Sequence, residues 1–206
     1  MEYLSADEYG KYGLSATTPA SLAAGASALI DAHCRRKTLG VAEYTERSRL
    51  GRTGSARLSY LPLVCGAGAT TPIVRARVRY RACGDLHPVS EIAAEVAQAF
   101  GVAGVWAELA PESLDVANET GELTVSLPAL TLPFDEMEIT YTAGMEPIPE
   151  AVKHACAMIV RSAQATPALN VRGNTVDRMH LEYFSDSLLD TNVNALLAPY
   201  VAQKAG

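Results

Sequence analysis

The sequence predicts an α+β fold: a helical bundle made by the N- and C-terminal segments, with a β-rich insertion of hairpins plus a short helix in the middle. Three observations lead there. Apolar residues recur at helical spacing near both ends of the chain. Between residues 72 and 142 they alternate one-in-two, and a turn ending in Gly121 separates two short apolar runs. The 206 residues suit a single domain, with 1–43 as N-terminal helices, 44–145 as the β-rich insertion and 146–206 as C-terminal helices and tail.

Taken in order, Ser5-Ala6-Asp7-Glu8 has capping-box spacing and predicts a short helix ending near Gly13. Thr18-Pro19 predicts a second start, with Thr18 as cap and Pro19 at the first helical position, where its missing donor costs nothing. Leu22, Ala26, Leu29, Ile30 and His33 make one stripe, and the helix is expected to run to about residue 37. That would place Arg35-Arg36-Lys37 in its last turn, where cations suit the helix dipole.

From Pro72 to Ala82 the chain alternates, with Arg75, Arg77, Arg79 and Arg81 on one face and Val74, Ala76, Val78 and Tyr80 on the other. Val89 to Phe100 predicts a short helix ending at Gly101. Leu114–Val116 and Leu123–Leu127 flank the turn Asn118-Glu119-Thr120-Gly121, with glycine at the strained position. Glu136 to Thr142 alternates again, setting Glu136, Glu138 and Thr140 opposite Met137, Ile139 and Tyr141. Pro147 to Glu150 primes a helix striped by Val152, Ala155, Cys156, Ile159, Val160 and Ala163, and Pro167 stops it. A polar stretch through Gly173-Asn174 and a last helix from Asp190 to Leu197 complete the chain.

Composition narrows the function classes. With 49% apolar and 19% charged residues, the chain can fold without staples. A net charge of −6 argues against a general nucleic-acid binder with a basic face. The longest uncharged run, Tyr12 to Ile30, is broken by Pro19 and Gly25, so a membrane span is not expected, and nothing resembles a signal peptide. Cys34, Cys65, Cys83 and Cys156 form no CxxC pair, which points to a soluble protein made in a reducing compartment. His33, His87, His154 and His180 lack metal-ligand spacing relative to the cysteines. Cys65 to Thr71 lacks the GK[ST] ending of a phosphate loop, and no nucleophile elbow or HExxH motif occurs. Catalytic residues, metal and cofactors are therefore assigned as none, and no enzyme is expected.

Charge is uneven. Residues 1–103 carry 12 basic and 9 acidic side chains, net +3, while 104–206 carry 5 and 14, net −9. Such a chain can pair with itself or head-to-tail with neighbouring copies. The arginine stripe has three alternatives: gripping phosphate, pairing across strands with Glu136, Glu138, Glu122 or another acidic neighbour, or meeting acidic surface on an adjacent subunit. Arg75, Arg77, Arg79, Arg81, Glu136 and Glu138 are the candidate subunit-interface residues.

Three segments carry a resemblance. Tyr3-Leu-Ser-Ala-Asp-Glu-Tyr-Gly-Lys-Tyr-Gly-Leu14 precedes a longer helix. Leu114-Asp-Val-Ala-Asn-Glu-Thr-Gly-Glu-Leu-Thr-Val125 reads as a hairpin with Thr-Gly in its turn. Ile139-Thr-Tyr-Thr-Ala-Gly-Met-Glu-Pro-Ile-Pro-Glu-Ala-Val-Lys-His-Ala155 reads as a strand ending in Tyr-x-Ala-Gly before a Pro-Glu-x-Val-Lys helix, and is the most specific of the three. With the ending Leu196-Leu-Ala-Pro-Tyr200, the order resembles the head–tail connector (adaptor) family of long-tailed bacteriophages; residues 85–107 depart from it.

The resemblance implies a non-enzymatic virion protein of the neck, made in the host cytoplasm. It implies a homo-oligomer, a dodecameric ring, docked under the portal protein and offering a surface to the stopper or tail-terminator protein. Double-stranded DNA would pass through the lumen without sequence-specific binding, and twelve such chains would place about −72 charges around it. Leu196, Leu197 and Tyr200 would reach toward the portal, with ordinary helix packing as the alternative for both leucines. A stopper, a tail terminator, or a small ligand-binding or enzymatic domain are the competing readings.

Overall fold

The computed structural model describes residues 2–51, 53–66, 70–79, 106–125, 134–165, 173–176, 179–182 and 188–203, with 173–176 and 179–182 described in backbone only. The helix expected over Val89–Phe100, together with Arg81, Cys83 and His87, lies outside the described residues. The chain divides into two compact units, one joining residues 1–40 with 145–202 and one built on Val41–Gly144.

In the second unit, the alternation at 136–142 becomes its central strand. Strands β1 (Ala42–Arg49), β2 (Ser55–Arg57), β3 (Ile73–Arg79), β4 (Ala107–Leu109), β5 (Leu114–Val116), β6 (Glu122–Val125) and β7 (Glu136–Ala143) form two antiparallel sheets. One has the order β1-β7-β3-β4, the other β2-β6-β5. Met137, Ile139, Tyr141 and Ala143 point to one side of β7 and are fully buried. They share a single core with Tyr44, Ile73, Ala76 and Val78 of the same sheet and Leu114, Leu123 and Val125 of the other. The β5–β6 hairpin turns where the sequence places it. Gly121 has φ 69° there, and a Cβ at that position would meet Leu61 Cδ2 at 2.9 Å.

One expectation for β3 fails. Val74 is half exposed, because the register with β7 shifts between Ile73 and Arg75. This bulge hands the inward position to Ile73 and leaves Ala76 and Val78 in phase.

The first unit holds α1 (Ala20–His33), α2 (Glu150–Ala165), a ribbon of β8 (Gly173–Val176) and β9 (Met179–Glu182), and α3 (Thr191–Leu197). Residues 6–12 form a 3₁₀ helix closed by Gly13 in the left-handed conformation, φ 73°. The buried face of α1 is made of Ala23, Ala26, Ser27 and Ile30, with Leu22 and Leu29 only partly buried. Small residues there let α1 approach Val152, Ala155, Cys156, Ile159 and Val160 of α2 closely. Pro19 is the N-cap of α1 rather than its first residue, and the helix ends at His33, so the basic run lies beyond its last turn. Asp190 caps α3, its carboxylate accepting from the Val193 amide at 2.7 Å.

The predicted fold class is therefore corrected. Among the described residues the chain is mixed helix and sheet, mostly β-rich, with antiparallel sheets of four and three strands and a two-stranded ribbon, and its ends do not make a helical bundle. The reason lies in the terminal segments. Residues 6–12 and 198–200 are 3₁₀ helix, α3 has seven residues, and the polar stretch after α2 pairs as strands, so among the described residues only α1 and α2 are α-helices longer than two turns.

Candidate functional site

The side chains of chemical interest gather on the outer face of the four-stranded sheet, away from that unit's core. Period-two geometry places Arg75, Arg77 and Arg79 of β3 there, beside Glu136, Glu138 and Thr140 of the central β7 and Thr45, Arg47 and Arg49 of β1. The register sets Arg79 directly opposite Glu136 and Arg77 opposite Glu138. Cross-strand neighbours at this spacing pair readily.

They do pair. Arg79 Nε donates to Glu136 Oε2 at 2.7 Å, and Arg47 Nη2 reaches the same oxygen from β1 at 2.8 Å. Arg77 Nε donates to Glu138 Oε1 at 2.8 Å. Arg75 pairs with Glu108 of β4, its Nε 3.1 Å from either carboxylate oxygen. Over this ladder lies Trp106, just before β4. Its ring centroid is 4.7 Å from the Arg79 guanidinium carbon, 5.0 Å from that of Arg77 and 5.2 Å from that of Arg47. Guanidinium planes are weakly hydrated and sit well against an indole face.

Electrostatics follow the geometry. The Arg47 hydrogen bond, reinforced by Arg79, holds the buried Glu136 carboxyl below the usual range against the opposing effect of burial. Arg75 likewise lowers Glu108 at the exposed edge. With three arginines of the stripe neutralised inside the chain, the face is an ion-pair ladder rather than a grip for phosphate. Glu122 takes no part in it; it lies on β6 opposite Arg57.

Other candidates fall elsewhere. In the first unit, Tyr12 donates to Glu150 at 2.5 Å, Lys11 pairs with Glu150 at 3.0 Å, and Lys153 pairs with Glu8. The Tyr12 hydrogen bond and then Lys11 lower Glu150, and the His154 ring meets Tyr12 edge-on at 5.1 Å. These contacts lock the 3₁₀ helix onto α2. Leu197 is fully buried in this unit's core, where it packs and offers no surface, while Leu196 and Tyr200 are partly buried against the same core. Cys34 and Cys156 are buried and Cys65 is exposed; burial pushes the Cys34 thiol up to about 11. Among the described residues no three His, Cys, Asp or Glu side chains are grouped to hold a metal, and no helix is long and apolar enough to cross a membrane.

Sequence reasoning finds the stripe and its β7 partners but misses Arg47, Glu108 and Trp106. β1 offers Tyr44 as its one large apolar inward residue, so its alternation is faint, and Trp106 stands in the stretch 85–107 that breaks the resemblance. No protein-family model matches the chain, and no curated protein matches it.

Proposed function

We propose that this chain is a structural adaptor: a head–tail connector that assembles as a ring beneath a phage portal, extends the DNA channel and offers a docking surface to the stopper or tail terminator. The observation that carries the reading is the strand–helix junction of Ile139–Ala155. There β7, the central strand of its sheet, leaves through Gly144 at φ 141°, and α2 begins directly after Pro149. A buried strand followed within a few residues by a buried helix is the order that the resemblance implies for such an adaptor.

In this reading the outer face of the four-stranded sheet is the surface offered to a neighbouring copy. Its Arg–Glu pairs are made within the chain, so free charge would contribute little to the ring. Contact would instead centre on Trp106 and its arginines, the residue types that dominate interface energetics. At the C-terminal end, Leu196 and Tyr200 are the partly exposed members of the portal-binding assignment, with Leu197 holding them in place.

Light scattering on the chain alone and mixed with purified portal rings tests this. A complex of fixed stoichiometry is expected, and Trp106→Ala should weaken copy-to-copy association about tenfold or more. Absence of any complex with portal rings at micromolar concentrations, or saturable turnover of a small molecule, would sink the proposal.

A further inference from the structure

The C-terminal end of α1 has an unusual closure. Arg36 N donates to Asp31 O at 3.0 Å and Arg35 N to Ala32 O at 3.2 Å, the paired bonds of a Schellman turn. The left-handed position of such a turn usually holds glycine; here it holds Arg35, at φ 55°. Among the described residues it is the one non-glycine with positive φ.

The turn leaves the Cys34 carbonyl for another partner, and that partner comes from the far end of the chain. Ala202 N donates to Cys34 O at 2.9 Å, while Arg36 Nε donates to Tyr200 O at 2.9 Å. The two bonds run in opposite directions between residues two apart on each segment, as in one rung of an antiparallel ladder. Ala202 is buried beneath this crossing, and the segment descends from α3, anchored by Val193 and Leu197.

We propose that residues 198–202 are a strap that completes the cap of α1, and that Arg36 is the latch deciding whether the C-terminal end is docked or free. A guanidinium-to-carbonyl bond is charge-assisted. Among the described residues the strap is one short 3₁₀ turn with these two crossing bonds, its Tyr200 only partly buried, whereas α2 is buried along a full face. It therefore opens locally, well before the unit unfolds. Arg35 and Lys37, both exposed, flank the latch and keep it in a cationic setting. The inference does not rest on the adaptor reading.

Hydrogen exchange on the full-length chain tests it. The Ala202 amide should be protected, and Arg36→Ala should speed its exchange about tenfold or more while the amides of Val152 to Val160 keep their wild-type rates. As a second route, Ala202→Gln forces a long polar side chain into the buried position and should let carboxypeptidase trim the chain past residue 202, where the wild-type chain resists. Unchanged protection of Ala202 in Arg36→Ala overturns the proposal. So does protection lost only together with that of α2, or an Ala202→Gln chain as resistant as wild type.

Discussion

Inside the first unit, Ser27 is fully buried between α1 and α2 and meets its needs within a few ångströms: it donates to Ala23 O at 2.8 Å and accepts from the Tyr3 amide at 3.1 Å. In the second unit the buried polar group is Glu136, and its partners arrive from strands on both sides, at the ends of long arginine side chains. The contrast follows from packing. Helices in contact through Ala23, Ala26, Ala155 and Ala157 leave room only for short side chains bonding locally. The outer face of a sheet leaves room for a ladder of long ones, with Trp106 laid over the top. One unit is limited by volume, the other by charge pairing on one face and apolar filling on the other.

Core deletion in the sheet is the strongest way to test that difference. Ile139→Ala removes a fully buried side chain from the central strand and should cost about 3 kcal/mol in urea unfolding. Trp106, the sole tryptophan, reports this unit by fluorescence. Overfilling tests the other unit: Ala155→Leu should cost about 2 kcal/mol by forcing α1 and α2 apart, seen as loss of helical circular dichroism at lower denaturant. An equal cost for Ala155→Leu and a surface Ala→Leu would show that volume is not the limit there.

Charge pairing has a pH signature. The Glu136 carboxyl is held below its unfolded value, so its stabilisation is present above the ordinary carboxylate range, near pH 4, and is lost as pH falls through its lowered folded value. Glu136→Gln should therefore cost about 1–2 kcal/mol at pH 7, with the difference from wild type shrinking on acidification. A difference independent of pH would mean that the ladder contributes packing alone. The smallest expected effect has the opposite sign. Arg35→Gly relieves the left-handed cost at the end of α1 and should stabilise by about 0.5–1 kcal/mol after the added freedom of the unfolded chain is subtracted.

Much of the local structure was legible because single residues dictate it. Asp190 and Gly13 mark a helix start and a helix end, Gly121 a hairpin, and the alternation of 136–142 a strand with one buried face. The candidate face was half legible: period two puts the three described arginines together, but nothing local says that β1 supplies Arg47 or that Trp106 covers them. The bulge at Val74 was hidden for the same reason, since register is a property of two strands. The polar stretch through Gly173-Asn174 gives no sign of the ribbon β8–β9, because its first strand, Gly173–Val176, offers no apolar alternation.

By itself, then, the amino-acid order determined which short stretches prefer helix, strand or turn, because those preferences arise from steric and hydrogen-bonding choices within a few residues. Tertiary structure alone decided the class of the fold, the burial of Leu197, the pairing of the basic half with the acidic half, and the capping of α1 by residue 202. Each of these joins residues far apart in the chain. Their energy depends on which partners compete for the same space, and no local pattern encodes that competition.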